Sequence, residues 1–540
     1  MFYIYGMPNS KCNICLLKNP MALKKWSHEQ IIGAFCSPLY LSLFFLVSVL
    51  IVFNFAIRKP KSKSKTNQLP FPPKLPIIGN LHQLGTLPHR SLRDLSLKYG
   101  NMMLLQLGQK PTPTLVVTSA DVAMEIMKKY DKVFSNRPQH IAQKILLYGC
   151  NDVGFALYGK NWKQKRKLCV GELLNMKSVQ SSYPIREEEV EELVNKLREA
   201  SLNDACVNLS EMLISTINNI VCICALGRKY EETSDGNLKV LARKVMMYLA
   251  TFVVGDYFPS LSWIDVLSGK IGEMKDTFQA FDGFFDQVIE ERLALKKMED
   301  NQIKKKGFVD ILLQLQDDGM LGFEFSNNDI KALLMDMFIG ATDTTSTTLD
   351  WTISELMRHP TVMKKIQEEV RRVVGNKSKV EENDINQMHY LKCVVKESLR
   401  LHPATPLMAP RETISNVNLK GYDIPEKTMV YVNSWAIQRD PKNWDNPEEF
   451  MPERFEHSIV DFIGQDFQFI PFGFGRRGCP GMNFGVTTVE YVLASLLYWF
   501  NWKLPNETNL GKQDIDMNEV FGLVVSKKEP LHLKPIAFLA

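Results

Sequence analysis

Cysteine is scarce in this chain, which has 10 among its 540 residues. The cysteines are scattered, so they do not form the dense disulfide framework of small secreted proteins. We therefore expect the main body to reside in a reducing compartment. Cys12 and Cys15 are separated by two residues but lack a second cysteine or histidine pair at zinc-ligand spacing. This pair therefore does not predict a zinc site.

The chain also lacks a strong excess of either charge. Lysine and arginine total 65 residues and aspartate and glutamate total 60, which gives a net charge of +5. This mild balance gives no indication of nucleic-acid binding, and we expect no nucleic-acid partner. The hydrophobic share of 45% and the charged share of 23% are those of an ordinary globular protein.

A long apolar run without charge occurs at residues 39–57. Nineteen helical residues span roughly the 30 Å hydrocarbon core of a bilayer, so this run predicts a single transmembrane anchor. A cleaved signal peptide is the alternative, but the run is too long and no small-residue cleavage site follows it. Five basic residues within 58–65 favour a cytosolic position for the following flank. Residues 1–38 are an N-terminal extension, and residues 1–20 are either an unusual addition or a misassigned start.

A stiff connection is predicted after the anchor. Residues 69–80 contain four prolines within seven positions, and proline favours an extended backbone. Residues 58–80 are therefore predicted to be a basic and proline-rich linker. Short apolar or β-branched runs beginning at Asn101 and Pro113 predict strands, and helical patterns dominate from Ser119 onwards. The predicted fold class is mainly α with a small β region.

Turn-forming residues surround one cysteine, Cys479, in the stretch Pro471–Gly481. Glycine reaches positive φ without a steric penalty, so this stretch can fold tightly and approach a ligand. The glycines are Gly473, Gly475, Gly478 and Gly481. A helix is predicted from about Met482, and its positive end, with Arg476 and Arg477, would lower the thiol pKa and favour a thiolate metal ligand. The helix carries an apolar stripe at Val486, Val489, Leu493, Leu496 and Phe500.

Two interpretations of this stretch compete. Residues 473–478 also read G-x-G-x-x-G, a dinucleotide fingerprint that requires an acidic residue about twenty positions later. Residues 495–499 contain none, and Glu490 lies inside the predicted helix. The more specific pattern F-x-x-G-x-R-x-C-x-G resembles the haem-binding loop of the cytochromes P-450. The resemblance implies that Cys479 is the axial thiolate ligand of haem iron. A buried, inert cysteine is the structural alternative.

A second predicted element is a long helix over Asn328–Arg358. Asn327 and Asn328 are its expected caps, and His359-Pro360 ends it. Its centre, residues 338–348, contains five threonines, a glycine and an aspartate, all of which disfavour a helix. Such a violation is expected where function overrides local preference, although threonines that bond back to helix carbonyls are an alternative.

The centre of this helix matches the family pattern [AG]-G-x-[DE]-T-[TS] at residues 340–345, except that Ala341 replaces the usual glycine. The extra methyl group is expected to narrow the space above the iron. Asp343 and Thr344 form the acid-alcohol pair of the family. The resemblance implies that they deliver protons during catalysis.

Other residues resemble the haem-contacting positions of the family. Trp162 and Arg166 stand at i and i+4 on one predicted helical face, and the family's W-x-x-x-R element places both against a haem propionate. Arg411 matches a second propionate ligand, and Arg477 supplies a further guanidinium. The lysines around Arg166 are expected to form a solvated basic helix face.

Three further residues have a predicted structural role. Glu397 and Arg400 stand at i and i+3, and in the family this pair packs with a later arginine, here Arg454.

The expected pocket residues are hydrophobic, including a turn at Phe521 that resembles a substrate-contacting turn. They are Phe338, Leu407, Met408, Phe521 and Leu523.

The resemblance covers roughly residues 65–540, and the stretches beginning at Trp435 and Asp466 look like the plant A-type, or 71-clan, cytochromes P-450. It implies the cytochrome P-450 fold, with a haem-binding monooxygenase domain over residues 81–540 and haem b as cofactor. It also implies a single-pass endoplasmic-reticulum membrane protein with a cytosolic catalytic domain.

The implied reaction inserts one oxygen atom from O2 into a hydrophobic small molecule, such as a terpenoid, phenylpropanoid or indole derivative. Electrons would come from NADPH through a separate cytochrome P-450 reductase, with cytochrome b5 as an additional candidate partner. A basic surface for an acidic partner is expected at Lys160, Lys163, Lys165, Lys167 and Arg476. The alternatives are a haem-thiolate isomerase or dehydratase that needs no reductase, and a non-catalytic haem sensor.

Overall fold

A computed structural model describes residues 42–43, 45–49, 69–230, 238–297, 306–319, 323–505 and 515–538. Most of the predicted anchor at residues 39–57 therefore lies outside the described residues, as do the extension and most of the linker before residue 69. Residues 42–43 and 45–49 are helical. The transmembrane anchor stays a prediction.

Helices make up most of the described chain from residue 69 onwards, as the sequence predicts. They are α1 (Pro88–Tyr99), α2 (Ala120–Tyr130), α3 (Ile141–Leu146), α4 (Lys160–Leu168), α5 (Met176–Ser181), α6 (Tyr183–Leu202), α7 (Leu209–Leu226), α8 (Leu238–Ala250), α9 (Val254–Tyr257), α10 (Trp263–Leu267), α11 (Lys270–Lys297), α12 (Phe308–Asp317), α13 (Asn327–Arg358), α14 (Pro360–Val374), α15 (Glu382–Ile385), α16 (His389–Leu401), α17 (Ser434–Ile437) and α18 (Met482–Trp499). Within the described residues, α7 alone is long and apolar enough to cross a membrane, and 67% of it is buried inside the fold. Helix α7 is therefore a core helix.

The strands are short and form small sheets. They are β1 (Met102–Leu105), β2 (Thr114–Val117), β3 (Val207–Asn208), β4 (Arg411–Glu412), β5 (Val417–Leu419), β6 (Tyr422–Ile424), β7 (Met429–Val432), β8 (Phe500–Lys503), β9 (Glu519–Val520), β10 (Ser526–Lys527) and β11 (His532–Ala537). One sheet has the order β1-β2-β7-β4, with β2 and β7 parallel and the other pairs antiparallel. The two strands predicted after Asn101 and Pro113 are β1 and β2. Strands β9 and β10 pair as a hairpin, and Phe521, in the predicted turn, lies just after β9.

Helix α13 is 32 residues long and buries most of its side chains against α7, α18 and their neighbours. Its N-cap is Ser326, whose hydroxyl accepts from the Asp329 N–H while the Asp329 carboxylate accepts from the Ser326 N–H. The predicted cap at Asn327 and Asn328 is therefore wrong. Ser326 has the extended backbone that a cap needs, whereas Asn327 is already helical.

Helix α18 begins at Met482, as predicted. It is buried on more faces than the single apolar stripe predicted from the sequence. Val489, Leu493 and Leu496 are buried, but so is every residue from Tyr491 to Tyr498. Helices α13, α14 and α16 pack around it, so it has no broad solvent face. Phe500, the last residue of the predicted stripe, lies beyond the helix in β8.

The structural role predicted for Glu397, Arg400 and Arg454 is confirmed. Arg400 donates to both Glu397 carboxylate oxygens, at 2.8 and 2.9 Å, and Arg454 Nε donates to the same carboxylate at 3.0 Å. Glu397 and Arg400 are fully buried. Arg400 also donates to the Gln438 and Pro447 carbonyls. This network ties α16 to the segment that leads into the Cys479 loop.

Candidate active site

A cavity of about 320 Å³ separates the middle of α13 from the Cys479 loop and the start of α18. Gly340, Ala341 and Thr344 line it from α13, and Cys479 lines it from the opposite side together with Phe484 of α18. The volume is in the range of small-molecule sites. The structure thus brings the two predicted chemical elements to one space.

The Cys479 loop uses its glycines in two different ways. Gly473 and Gly475 have φ of +71° and +65°, a region that side chains disfavour. A Cβ on Gly475 would also lie 2.5 Å from the Asp131 carboxylate. Gly478 and Gly481 have negative φ, so the prediction of positive φ is wrong for them. At Gly478 the constraint is space, because a Cβ would lie 3.3 Å from the Gly475 carbonyl oxygen.

The Cys479 side chain is accessible to the cavity but lies deep within the fold. Burial raises the pKa of its thiol, while a hydrogen bond from the Gly481 N–H and the charge of Arg166 oppose that rise. The helix end therefore lowers this pKa as predicted, through the Gly481 N–H, but burial has the larger and opposite effect. A bound metal cation deprotonates a coordinating thiol by its own charge, so the site still suits a thiolate ligand.

A group of arginines surrounds the cavity next to the Cys479 loop. They are Arg137, Arg166, Arg411 and Arg477. Backbone carbonyls hold their guanidinium groups: Arg166 donates to the Gly478 carbonyl at 2.6 Å, and Arg411 donates to that of Phe474 at 2.7 Å. The three arginines predicted from sequence lie together here. Arg137 was not predicted, since no periodic pattern or motif marks it.

The charges of these arginines are poorly compensated by the protein. Burial lowers the pKa of Arg477 to about 9, with a further contribution from Arg411, and burial lowers the pKa of Arg411 to about 10. Asp131 lies 3.7 Å from Arg411 but is shared with Arg476. A buried cluster of cations needs anionic partners. A cofactor that carries two carboxylates, as haem does, fits this requirement.

Trp162 does not line the cavity, although it belongs to the same site. Its indole N–H donates to the Val153 carbonyl at 3.0 Å, and the Arg477 guanidinium lies 4.1 Å from the ring centroid. Arg166 also lies over this ring, at 5.9 Å. Trp162 therefore orients two of the cavity arginines by packing against them.

The prediction of a solvated lysine face on α4 is wrong for Lys165. Its side chain is only 1% exposed, forms a salt bridge with Asp329 and donates to the Asn151 carbonyl at 2.6 Å. Lysine can be buried in this way because an ionised partner and carbonyl groups replace its water. Lys160, Lys163 and Lys167 are exposed, as expected.

Thr344 and Asp343 face different surroundings. The Thr344 side chain lines the cavity, and its hydroxyl donates to the Gly340 carbonyl at 2.7 Å. Asp343 does not line the cavity. Burial raises the pKa of its carboxyl, and Arg243 of α8 opposes that rise.

The alternative reading of the α13 threonines applies to part of the helix. Thr348 and Thr352 donate to carbonyls one turn earlier, as Thr344 does. Such back-bonding alone would be structural. Thr344 differs from Thr352 because it faces the cavity.

Ala341 lines the cavity, so its methyl group occupies space there. A Cβ on the neighbouring Gly340 would meet no atom within 4 Å. The cavity is therefore open at Gly340.

The predicted pocket residues are correct in part. Met408 and Leu523 line the cavity, whereas Phe338, Leu407 and Phe521 do not. Phe338 is fully buried against Phe285, and Leu407 and Phe521 belong to a separate cluster near β1. The lining instead includes apolar residues from α7, α8 and α12 that sequence reasoning missed. Among them are Val221, Cys224, Met246 and Phe308.

A sequence profile described as Cytochrome P-450 matches residues 69–534. The chain belongs to the cytochrome P-450 family. It is 51% identical over 503 residues to a phenylacetaldehyde oxime monooxygenase from Prunus mume, covering 92% of this chain and 95% of that protein. It is also 50% identical over 458 residues to cytochrome P-450 71A1 from Persea americana, covering 84% and 90%.

The fold of this cytochrome P-450 is shared with solved structures. A zebra fish cytochrome P-450 with progesterone aligns with a TM-score of 0.71 at 24% identity, covering 84% of this chain and 99% of that chain. The relatives confirm the predicted likeness to plant 71-clan proteins, and the chain is an oxidoreductase of the cytochrome P-450 monooxygenase family.

Proposed function

We propose that this cytochrome P-450 is a haem-thiolate monooxygenase that inserts one oxygen atom from O2 into a neutral, hydrophobic small molecule of plant specialised metabolism. The observation that carries the proposal is the cavity itself. Cys479 and Thr344 line its opposite sides, and Arg137, Arg166, Arg411 and Arg477 surround it next to the cysteine. Electrons would come from NADPH through a separate reductase.

The residues of the cavity fit haem b. Cys479 would bind the iron, and Arg166, Arg411 and Arg477, joined by Arg137, would pair with the two propionates. Trp162 would keep Arg477 in place. When bound, a haem with a thiolate ligand supplies oxygen activation, because the electron-rich sulfur favours cleavage of the O–O bond.

Thr344 and Asp343 would deliver protons on the side opposite Cys479. The Thr344 hydroxyl donates its hydrogen bond to the Gly340 carbonyl. The hydroxyl oxygen can therefore accept a hydrogen bond from water in the cavity. Burial raises the pKa of Asp343, which lets this carboxyl hold a proton closer to neutral pH. Thr344 would position the water molecule, and Asp343, which does not line the cavity, would supply a replacement proton.

Thr344→Ala is expected to separate NADPH consumption from product formation. Removing the hydroxyl leaves water in the cavity without its fixed partner, so product per NADPH should fall about 100-fold while peroxide rises. The measurement compares NADPH, product and peroxide in one reaction with the purified protein and its reductase. Thr342→Ala is the matched control, because Thr342 is buried on the same helix and its hydroxyl has no hydrogen-bond partner among the described residues. Unchanged coupling in Thr344→Ala would contradict the proposed role.

A non-catalytic haem sensor is the alternative to an enzyme. Cysteine and methionine bind haem iron, and Cys169, Cys224 and Met246 line the cavity together with Cys479. A sensor would show saturated iron ligation and no spectral shift when candidate substrates are added. A reductase-independent isomerase or dehydratase would turn over substrate without NADPH, which the coupling measurement also tests.

The substrate class follows from the lining and from the relatives. The side contributed by α7, α8 and α12 is apolar, with Val221, Met246 and Phe308. One relative is named for phenylacetaldehyde oxime, and another, 44% identical over 499 residues, is strychnine-11-hydroxylase from Strychnos nux-vomica. We therefore expect small aromatic neutral compounds to bind. Phenylacetaldehyde oxime and indole derivatives should shift the haem spectrum on titration, and absence of any shift in such a series would argue against this class.

A reductase would dock on the side of the molecule that carries α4. Lys160, Lys163 and Lys167 are exposed there, and Arg166 of the same helix contacts the Cys479 loop. Lys165 is buried and does not belong to this surface. Apparent reductase affinity should fall as salt rises, because exposed charges are screened. Affinity that does not change with salt would contradict docking on this basic surface. Cytochrome b5 would compete for the same surface.

The membrane location rests on residues 39–57. Their uncharged run supports a single-pass anchor in the endoplasmic reticulum, with the catalytic domain in the cytosol. The protein should sediment with microsomal membranes, and deletion of the run should release a share of it.

A further inference from the structure

Two carboxyl groups, those of Asp152 and Asp336, lie together at the wall of the cavity. Asp336 belongs to α13 and lines the cavity, four and eight residues before Gly340 and Thr344 on the same helical face. Its Oδ2 accepts from the Val153 N–H at 2.6 Å. Asp152 Oδ2 accepts from the Phe155 N–H at 2.7 Å. The two aspartates thus hold the backbone N–H groups of one short loop, residues 152–156.

The two carboxyl groups face the same glycine of this loop, because a Cβ on Gly154 would lie 3.2 Å from Asp152 Oδ2 and 3.5 Å from Asp336 Oδ1. Asp152 is fully buried, and no donor among the described residues reaches its Oδ1. A carboxylate can only accept hydrogen bonds, so two bare carboxylates in contact would repel each other. A proton shared by the pair would remove one of the two negative charges from this buried position.

The carbonyls of the same loop are used by the cavity arginines. Arg477 donates to the Val153 carbonyl at 3.1 Å, and Arg137 donates to the Gly154 carbonyl at 2.9 Å. Trp162 donates to the Val153 carbonyl as well. The loop therefore connects the carboxyl pair, through its N–H groups, with the proposed propionate ligands, through its carbonyls.

We infer that Asp152 and Asp336 act as one proton-sharing carboxyl pair that positions residues 152–156, and through them Arg137 and Arg477, toward the carboxylates of the cofactor. The inference rests on the haem site proposed above. Neither aspartate touches the reacting centre, so both are positioning residues. A metal cation is a poor occupant of this pair, because two guanidinium groups already lie beside it.

The surroundings favour one proton on the pair at neutral pH. Burial raises the pKa of Asp152 to about 6 and that of Asp336 well above the usual carboxyl range. Arg477 and Arg137 supply positive charge near Asp152. The thiols near the pair stay neutral, because burial raises the pKa of each; they belong to Cys150 and Cys169.

The sign of the pH effect follows from these raised pKa values. A carboxyl whose pKa is higher in the folded protein stabilises the fold at low pH and loses that contribution as pH rises through the folded value. Loss of the shared proton would leave two negative charges that attract Arg137 and Arg477 away from the cofactor. Haem retention should therefore weaken as pH rises past the titration of the pair.

The test compares Asp336→Asn with Asp336→Ala in the haem-loaded, full-length protein. Asparagine accepts from the Val153 N–H and donates to Asp152, so it mimics the proton-bearing pair at every pH. The rate of haem transfer to excess apomyoglobin is measured across the pH range in which the protein is folded. We expect Asp336→Ala to release haem about 10- to 100-fold faster than the unchanged protein. Loss of a residue that orients the direct ligands through hydrogen bonds typically has an effect of this size. Asp336→Asn should release it at the low-pH rate of the unchanged protein, without pH dependence.

Asp152→Asn mimics the proton-bearing pair by replacing the other carboxyl group. This variant tests the inference even if Asp336→Ala does not fold. Asp282→Asn is the control, because this half-buried carboxylate is ion-paired with Lys331 of α13. Equal and pH-dependent release by Asp336→Asn and the unchanged protein would overturn the inference.

Infrared spectroscopy tests the proton itself and needs no haem activity. The unchanged protein should show a protonated-carboxyl component that shifts in D2O, is missing from Asp336→Asn and remains in Asp282→Asn; components from other buried carboxyls such as Asp343 should be the same in all three proteins. An unchanged protonated-carboxyl signal in Asp336→Asn would overturn proton sharing even if the haem site is correct. Failure of the haem proposal would instead show as absence of a thiolate-type carbon monoxide spectrum, with the infrared band still present.

Discussion

Cys479→Ser is expected to abolish the thiolate-type carbon monoxide spectrum of the reduced protein and, with it, monooxygenase activity. Serine keeps the size of the side chain, so the loop and its hydrogen bond from the Cys479 N–H to the Phe472 carbonyl at 2.8 Å should persist. A serine hydroxyl does not ionise readily and cannot supply the electron-rich sulfur that the iron needs. The measurement is the carbon monoxide difference spectrum, normalised to bound haem.

Cys224→Ser is the matched control for this substitution. Cys224 also lines the cavity, but it belongs to α7 rather than to the Cys479 loop. Its replacement should leave the thiolate-type spectrum unchanged. If Cys479→Ser kept that spectrum, the assignment of the axial ligand would be wrong, whichever cysteine replaced it.

Glu397→Ala is expected to cause the largest loss of stability. The Glu397 carboxylate is fully buried and accepts from Arg400 and Arg454, so its removal leaves two guanidinium groups without their anion. Breaking a buried pair in this way costs about 3–5 kcal/mol. The free energy of unfolding of the haem-loaded protein, from denaturant titration, checks this value. Poor accumulation of folded protein is the expected outcome if the loss exceeds the total stability.

Glu456→Gln is the control for charge loss on its own. Glu456 pairs with Lys365 at 2.7 Å, but both side chains are substantially exposed. An exposed pair of this kind contributes about 0–1 kcal/mol. Similar losses for Glu397→Ala and Glu456→Gln would show that the buried network does not have the role described above.

The sequence could predict the elements whose chemistry demands particular residues at short spacing. Cys479 among glycines, the threonines of α13 and the pair Glu397 and Arg400 all depend on neighbours within a few positions. The strands β1 and β2 are similarly local, because β-branched and apolar residues lie between turn residues. Each of these elements lies where it was predicted.

Residues that depend on contacts between distant segments could not be predicted in this way. Arg137 reaches the cavity because the chain that follows α2 passes the Cys479 loop, and no local pattern encodes that approach. Lys165 looked like part of a charged surface, but its burial depends on Asp329, more than 160 positions later. The apolar lining from α7 and α8 looks like any helical core from sequence alone.

The carboxyl pair was not predicted, but Asp336 did leave a recognisable pattern in the sequence. Asp336 precedes Gly340 and Thr344 at intervals of four, which places the three on one face of a helix. A charged residue on the face that carries the proposed chemistry was reason to ask for its partner. Asp152, however, is 184 positions away, so only the fold shows that the two carboxyl groups meet.

The most direct test of the proposed function follows the oxygen atom. The purified protein is supplied with its reductase, NADPH, a compound that shifts the haem spectrum, and isotopically labelled O2, and the product is analysed by mass spectrometry. We expect one labelled oxygen atom in each product molecule, with formation dependent on NADPH. A product that forms without NADPH, or one that carries no label, would contradict the assignment of this chain as a monooxygenase.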